Sequence, residues 1–249
     1  MERFKQKLLQ AGIPFRENEP LAAHCTFKIG GPAQLFVQPQ TEQQLCSAAA
    51  LCKEQAVRYY LLGNGSNILF ADEGFAGVVI DISALGSDIA VEGNMLTAGA
   101  GVRLAALCRA ALEHGLSGLE FAYGIPGTVG GAVYMNAGAY GGEMKDVLTV
   151  VRYLTAEREV VQASAAELDL SYRHSIFEEN GGCILSAQFA LQPGNAADIR
   201  AKMDELMAKR VDKQPLDKPS AGSTFKRPAG AFAAALIDLS LIHISEPTR

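Results

Sequence analysis

The nineteen residues from Gly124 to Gly142, "GIPGTVGGAVYMNAGAYGG", contain seven glycines interleaved with large apolar side chains. Glycine loses more conformational entropy on folding than other residues, so a dense cluster needs a reason, such as positive φ angles or the close approach of another group. A flexible linker is the alternative, but linkers are polar and low in complexity. We therefore expect an ordered loop whose backbone approaches a ligand, with Ile125, Val129 and the tyrosines as apolar walls.

Another glycine-rich loop, which comes first in the chain, follows the apolar run "YYLL". It consists of Gly63, Asn64, Gly65, Ser66 and Asn67. Backbone N–H groups in a tight turn after a strand can converge on phosphate oxygens. The loop lacks the third glycine of G-x-G-x-x-G, because Ile68 occupies that place, and no G-K-[ST] follows, so an ordinary hairpin turn is the alternative. Two such loops at strand ends can together enclose a long dinucleotide.

Composition excludes several classes of protein. The 249 residues are 49% hydrophobic and 20% charged, which is typical of a soluble globular chain of one large domain or two to three modules. A net charge of −5 without a stripe of Lys and Arg argues against a nucleic-acid partner. No apolar run is long enough to cross a membrane, and the N-terminus lacks the pattern of a leader. We expect a cytoplasmic protein with a small-molecule substrate.

The cysteines do not indicate a metal site or disulfides. The chain has five cysteines without a C-x-x-C pair, and its four histidines do not lie beside them at metal-ligand spacing. We expect five reduced thiols, most of them packed in the interior, and no bound metal.

Periodicity predicts an α+β chain of two small modules and the start of a third. Helices are predicted in "MERFKQKLLQAG", in "EQQLCSAAALCKEQ" after the capping Thr41, in "RLAALCRAALEHG" and in "AADIRAKMDELMAKRVDKQ". Strands are predicted at 33–37 and in "RYYLLGNGSNILF", "GVVIDIS", "MLTAGAGV", "DVLTVVRYLTA" and "CILSAQFAL". In the last helix, Asp198 to Lys202 and Glu205 to Lys209 are available as i,i+4 pairs.

Five segments carry a resemblance to a known family: "TFKIGGPA", "LGNGSNIL", "GIPGTVGGAVYMNAGAYG", "SYRHSIF" and "PSAGSTFKRP". In order and spacing they resemble the UDP-N-acetylenolpyruvoylglucosamine reductases, flavoenzymes of peptidoglycan precursor synthesis. The resemblance covers roughly residues 20 to 238.

The resemblance implies an α+β fold with an FAD-binding PCMH-type module, like that of vanillyl-alcohol oxidases, and a smaller C-terminal substrate domain. The implied divisions are an N-terminal helix and lead-in at 1–23, an FAD-binding domain at 24–192 and the start of a substrate domain at 193–239. The FAD-binding domain would comprise two α+β subdomains, about 24–84 and 85–192. No obligate protein partner is implied.

The resemblance also implies FAD and NADPH as cofactors and assigns the residues that hold the flavin. Both glycine-rich loops would border FAD, and the Gly63–Asn67 loop would lie at its pyrophosphate. The implied FAD-binding residues are Gly63, Asn64, Gly65, Ser66, Asn67, Gly124, Ile125, Pro126, Gly127, Thr128, Gly130 and Gly131.

Two residues match the family's catalytic positions. Arg173 would grip the substrate carboxylate, onto which negative charge spreads when hydride adds to the enolpyruvyl methylene carbon; a planar guanidinium does this better than an ammonium group. Ser223 would deliver a proton to the adjacent carbon, because a positioned hydroxyl can protonate a strongly basic intermediate. Tyr172 would contact substrate or pack. Without the resemblance, a surface arginine and a structural turn serine are the ordinary interpretations.

The chain departs from the family pattern at three places. Cys25 stands where Asn is usual, and Arg227 stands where "FKNP" is usual. The family continues past "FAAALIDL" with a segment that carries a catalytic glutamate, whereas "SLIHISEPTR" does not resemble that continuation. We expect 240–249 to be a non-native tail on a truncated substrate domain, and we do not assign the glutamate's role to Glu246. Two alternatives stay open: a catalytically impaired FAD-binding fragment, or an FAD-dependent oxidase of another small molecule.

Overall fold

The computed structural model describes residues 1–85, 88–228 and 230–241. Its helices are α1 (Glu2–Gln10), α2 (Glu42–Glu54), α3 (Leu104–Glu113), α4 (Val129–Tyr134), α5 (Phe177–Asn180), α6 (Ala196–Lys213) and α7 (Ala233–Leu241). Its strands are β1 (Phe15–Pro20), β2 (Pro32–Val37), β3 (Tyr59–Leu62), β4 (Phe75–Asp81), β5 (Ile89–Glu92), β6 (Met95–Gly99), β7 (Leu116–Ser117), β8 (Gly138–Ala139), β9 (Gly142–Glu143), β10 (Leu148–Leu154), β11 (Val160–Ser164), β12 (Cys183–Ala190) and β13 (Gln192–Pro193).

The first sheet has the strand order β1-β2-β4-β3. Strands β2, β4 and β3 are parallel, and β1 pairs antiparallel with β2. Parallel strands need a crossover, and α2 supplies it between β2 and β3. The side chain of Thr41 caps this helix as predicted, by accepting a hydrogen bond from the Gln44 N–H at 3.2 Å.

The second sheet has the order β11-β10-β12-β6-β5 and is antiparallel throughout. Its central strand β12 alternates between the two faces, and the side chain of Phe189 is fully buried. These two sheets and the helices that pack on them form an α+β fold, as expected from the resemblance.

One hydrophobic core extends from the first sheet to the second. It includes Phe4 of α1, Leu35 of β2, Phe189 of β12 and Met203 of α6. A smaller cluster around Phe36 covers the other face of the first sheet. Because α6 contributes to the main core, the predicted substrate domain begins with a helix that packs on the FAD-binding domain. The predicted domain boundaries stay a prediction.

The four helices predicted from apolar periodicity are confirmed as α1, α2, α3 and α6. Among the differences from expectation, three concern the first sheet, the glycine-rich segment and α6. The polar strand β1 was not predicted, and its pairing with β2 places the start of the first sheet before residue 24. The short helix α4 lies within the glycine-rich segment. Lys202 pairs with Glu205 rather than with Asp198, whereas the Glu205–Lys209 pair forms.

After α6 the chain changes character. Residues 214–241, which we call the C-terminal segment, are mostly exposed, and they end in α7. Of the expected non-native tail at 240–249, only Ser240 and Leu241 fall within the described residues. Among the helices that the structure describes, none combines the length and apolar character needed to cross a membrane.

Candidate functional site

A cleft of about 1600 Å³ brings the two glycine-rich loops together with the "SYRHS" and "AGS" segments. Strand β3 and the first residues of β12 form part of its wall. The predicted site residues that line it are Gly63, Gly65, Ser66, Asn67, Gly124, Ile125, Pro126, Gly127, Thr128, Gly130, Gly131, Arg173 and Ser223. Asn64 and Tyr172 are not among the lining residues. Segments that are far apart in sequence therefore meet at one cleft, and their roles there stay predictions.

The first loop is held by the residues before β2. Gly65 has a φ of +61°, and a Cβ atom at this position would lie 2.1 Å from the carbonyl oxygen of His24. The carbonyl of Gly65 also accepts a hydrogen bond from the Thr26 N–H at 2.9 Å. The glycine is therefore required by the protein's own chain, whether or not a ligand also approaches it.

The second loop turns into helix α4, whose N-cap is Thr128. The Thr128 hydroxyl accepts a hydrogen bond from the Gly131 N–H at 3.4 Å. A Cβ atom at Gly130 would lie 2.9 Å from the Cβ of Ala100, so close packing on the strand-end residue excludes a side chain there. Val129 is fully buried in the core, so its predicted role as a wall is wrong. The walls are instead formed by side chains that include Ile125, Tyr134 and Tyr140.

Arg173 lies at the tip of a tight turn. The flanking residues Ser171 and His174 exchange two backbone hydrogen bonds, each 3.2 Å long, and Arg173 adopts a positive φ of 59°. The Tyr172 ring lies 5.9 Å from the Arg173 guanidinium carbon. The Tyr172 hydroxyl accepts a hydrogen bond from the Arg227 N–H at 3.1 Å, so this tyrosine contacts the C-terminal segment.

Ser223 is carried by the exposed C-terminal segment. This segment is joined to the first loop through Thr26, whose hydroxyl donates to the Ser220 carbonyl at 2.5 Å and whose own carbonyl accepts from the Ser220 N–H at 3.1 Å. The two departures from the family pattern make local contacts. Arg227 donates from Nε to the Ala231 carbonyl at 3.3 Å, and the Cys25 thiol donates to the Ile29 carbonyl at 3.3 Å.

The cleft is basic although the chain is acidic. Its charged lining residues are the cations Lys28, Arg173, Arg210, Lys213, Lys218 and Arg227 and the carboxylates Glu178 and Asp217. Such an excess of cations favours a ligand that carries phosphate groups. Sequence analysis missed all of these cations except Arg173 as site residues. They are scattered over 200 positions, and only the fold brings them together.

One of these cations supplies a direct test of whether a cofactor fits. The Arg210 Nε is buried and has no hydrogen-bond partner among the described residues, and burial lowers the pKa of this guanidinium. A Cβ atom at Gly124 would lie 3.0 Å from the Cδ of Arg210. A buried donor without a partner is costly, so an acceptor oxygen of a bound dinucleotide would satisfy it. The residues present therefore fit FAD.

Metal and thiol chemistry are not indicated. Burial raises the pKa of the Cys52, Cys108 and Cys183 thiols to about 12, so they stay protonated at neutral pH. All five cysteines are free, as expected. Within the described ranges, no three His, Cys, Asp or Glu side chains are grouped so that they could hold a metal ion.

The sequence has many known relatives. A protein family described as "FAD binding domain" matches residues 33–164. The chain is 46% identical over 221 residues to the UDP-N-acetylenolpyruvoylglucosamine reductase of Clostridioides difficile, which covers 89% of this chain and 73% of the relative. It is 49% identical over 246 residues to the reductase of Agathobacter rectalis, covering 93% of this chain and 77% of the relative.

Solved structures give the same relationship. The crystal structure of UDP-N-acetylenolpyruvylglucosamine reductase from Thermus caldophilus aligns with a TM-score of 0.77 at 32% identity, covering 92% of this chain and 79% of that one. A BBE-like 1 variant from Physcomitrella patens aligns with a TM-score of 0.57 at 20% identity, covering 76% of this chain and 44% of that one, which shows a shared fold only.

Proposed function

This chain belongs to the UDP-N-acetylenolpyruvoylglucosamine reductase family, and from that premise we propose that it reduces UDP-N-acetylglucosamine enolpyruvate to UDP-N-acetylmuramate, with NADPH as reductant. It is an FAD-dependent oxidoreductase of peptidoglycan precursor synthesis. The observation that carries the proposal is the single basic cleft in which both glycine-rich loops meet Arg173 and Ser223. Because the substrates are a nucleotide sugar and NADPH, we place the reaction in the cytoplasm.

The two glycine-rich loops would hold the cofactor. Gly63, Gly65, Ser66 and Asn67 line the cleft. Thr128 lies beside them, and its hydroxyl oxygen would be 2.7 Å from a Cβ at Gly63. The basic residues of the cleft offset the negative charge of a pyrophosphate. The chemistry that bound FAD supplies is transfer of a hydride from NADPH to the methylene carbon of the enolpyruvyl group.

Arg173 would bind the substrate carboxylate. When hydride adds to the methylene carbon, the C=C bond opens and negative charge develops on the neighbouring carbon and its carboxylate. A guanidinium that donates two parallel N–H bonds stabilises this charge more in the transition state than in the ground state. The fixed turn around Arg173 limits the reorganisation needed as the charge grows.

Ser223 would complete the reduction by donating its hydroxyl proton to the neighbouring carbon. The hydride and this proton together saturate the former double bond, and solvent returns a proton to the serine. A serine hydroxyl is a weak acid, so its position relative to the carbon is decisive. Ser223 lines the same cleft as Arg173, from the C-terminal segment, which supports this role.

The reaction is tested by the two half-reactions under nitrogen. NADPH should bleach the flavin absorbance of the wild-type chain, and UDP-N-acetylglucosamine enolpyruvate should then restore it. Arg173→Lys and Ser223→Ala should each slow restoration by about 100-fold or more, while bleaching by NADPH is retained.

Matched controls are available for both variants. Arg158→Lys changes another arginine of positive φ, which lies outside the cleft. Thr224→Ala removes the hydroxyl next to Ser223. Both variants should restore the flavin absorbance at a rate within about twofold of wild type. Colour restored by oxygen but not by the enolpyruvate would instead favour an oxidase. Bleached flavin that neither compound reoxidises would favour an impaired FAD-binding chain.

A further inference from the structure

The turn that carries Arg173 is anchored by two buried polar side chains, one on each side of its tip. Asn136 follows α4 in the glycine-rich segment and is 2% exposed. Ser175 precedes α5 and is fully buried. Neither residue lines the cleft, and neither was singled out by sequence analysis.

Asn136 uses both ends of its amide. Its Nδ2 donates to the Ser171 carbonyl at 3.0 Å and to the Glu143 carboxylate at 2.8 Å. Its Oδ1 accepts from the Lys145 N–H at 2.9 Å. These partners set the orientation of the amide, because only the NH2 group can donate to two acceptors. The Glu143 carboxylate stays ionised, since Lys145 and then Asn136 hold its pKa below the ordinary value.

Ser175 secures the other side of the turn. Its hydroxyl donates to the Tyr134 carbonyl at 2.6 Å, at the C-terminal end of α4. The turn is therefore tied to Asn136 and Tyr134, which lie only two positions apart in the glycine-rich segment. The Ser171 carbonyl makes the first contact and the Ser175 hydroxyl the second.

The turn itself needs such anchors. Arg173 is held at a φ of 59°, a left-handed conformation that costs a non-glycine residue about 1–3 kcal/mol and persists only where its surroundings fix it. The reciprocal hydrogen bonds between Ser171 and His174 close the turn but do not orient it relative to the cleft. Orientation comes from contacts outside the turn, and the buried amide and hydroxyl supply them.

We propose that Asn136 and Ser175 are positioning residues that hold the Arg173 turn against the glycine-rich segment, so that the guanidinium is aligned with the substrate carboxylate. The proposal rests on the function proposed above. Neither residue touches the substrate; each acts through the turn backbone. A displacement of about 1 Å at a reacting centre can cost about 100-fold in rate, so removing either anchor should slow the substrate half-reaction about 10- to 100-fold.

The first test measures order in the turn without using activity. Asn136→Ala and Ser175→Ala should accelerate amide hydrogen exchange in the 169–176 peptide about 10-fold in the FAD-bound chain. Thr149→Val is the matched control, because the Thr149 hydroxyl likewise donates to a backbone carbonyl, that of Gln188 at 3.0 Å, but lies in β10. It should leave exchange in 169–176 unchanged. Equal exchange in all four proteins would overturn the proposal.

The second test separates positioning from a general structural role. Both variants should retain FAD and NADPH bleaching while reoxidation by UDP-N-acetylglucosamine enolpyruvate slows. In an Arg173→Met background, Asn136→Ala should slow reoxidation by less than about threefold further, because its effect passes through Arg173. Additive losses, or FAD and folding lost together with reoxidation, would overturn the proposal. A wild-type chain that bleaches but is not reoxidised would contradict the proposed function instead, and leave the exchange test standing.

Discussion

The body of the molecule, residues 1–213, and the C-terminal segment, residues 214–241, differ in how they are held. In the body, Phe36 and Phe189 are fully buried, whereas Phe225 and Phe232 of the segment are each 62% exposed. The body carries both glycine-rich loops and Arg173; the segment carries Ser223. The side of the cleft that carries the glycine-rich loops is therefore shaped by a packed core, while the proposed proton donor depends on hydrogen bonds.

Among the described residues, two hydrogen-bonded contacts join the segment to the body at the cleft. Thr26 and Ser220 exchange a backbone and a side-chain hydrogen bond, and the Arg227 N–H donates to Tyr172. Each such bond is worth about 1 kcal/mol. Changes in the segment should therefore act on the substrate half-reaction, and changes in the packed core of the body on folding and FAD.

The largest expected contrast is between two phenylalanines. Phe189→Ala should lower the free energy of unfolding by about 3–5 kcal/mol, because it leaves a cavity in the main core. Phe225→Ala should change it by no more than about 0.5 kcal/mol, because that side chain is largely exposed. Urea denaturation of both variants measures the difference. Similar losses for the two would show that the segment is packed as firmly as the body.

A second contrast uses two glycines of the body with left-handed backbone. Gly65 has a φ of +61° and Gly93 a φ of +59°, but only at Gly65 would a Cβ clash, lying 2.1 Å from the His24 carbonyl oxygen. Gly65→Ala should destabilise the fold by about 3 kcal/mol or more, and Gly93→Ala by about 1 kcal/mol. Urea denaturation and FAD titration check this. A tolerated Gly65→Ala with unchanged FAD affinity would disprove the close contact with residue 24.

A third change weakens the attachment of the segment. Thr26→Val removes the hydroxyl bonded to the Ser220 carbonyl and keeps the side-chain shape, so reoxidation by the enolpyruvate should slow about fivefold. NADPH bleaching should be unaffected. Thr26→Ser should restore the rate, because it retains the hydroxyl. Equal slowing of both half-reactions would mean that Thr26 supports the whole cleft instead of the Ser223 loop.

The smallest effect concerns the turn beside Arg173. The Glu178 carboxylate, followed by Asp169, raises the pKa of His174 above its ordinary value of 6.5. Protonation of His174 therefore stabilises the folded state, and this contribution is fully present below about pH 6.5. It is lost as the pH rises through the raised pKa that His174 has in the folded state. The stability difference between wild type and His174→Gln should therefore be larger at pH 6 than at pH 8. A difference that grows with pH would contradict the assignment of these partners.

The elements of the fold could be predicted where their sequence signal is local, and not where they depend on a distant partner. The apolar period of α6 places Ile199, Met203 and Leu206 on one buried face, and the helix was predicted from that periodicity. The strand β1, "FRENEP", has no apolar alternation, and it forms because β2 supplies its hydrogen-bonding partner. Helix α4, "VGGAVY", contains two poor helix formers and depends on the Thr128 cap and on packing against Ala100.

The candidate site was predictable where a loop carries its own signature. Both glycine-rich loops fall into that class, although the reason for Gly65 and Gly130 is packing of the protein's own chain. Arg173 and Ser223 were assigned only through the family resemblance. The Asn136 and Ser175 anchors join residues 35 and 41 positions apart. Such pairs are set by tertiary structure, so no local pattern reveals them.

The absorption spectrum of the purified 249-residue chain, recorded before and after anaerobic NADPH, tests the central claim most directly. The account predicts a flavin band, either retained through purification or gained on adding FAD, that NADPH bleaches. That result would show that the chain binds FAD and supports its reduction by NADPH. A folded chain that stays colourless and takes up no added FAD would contradict the assignment of Gly63–Asn67 and Gly124–Gly131 to the flavin.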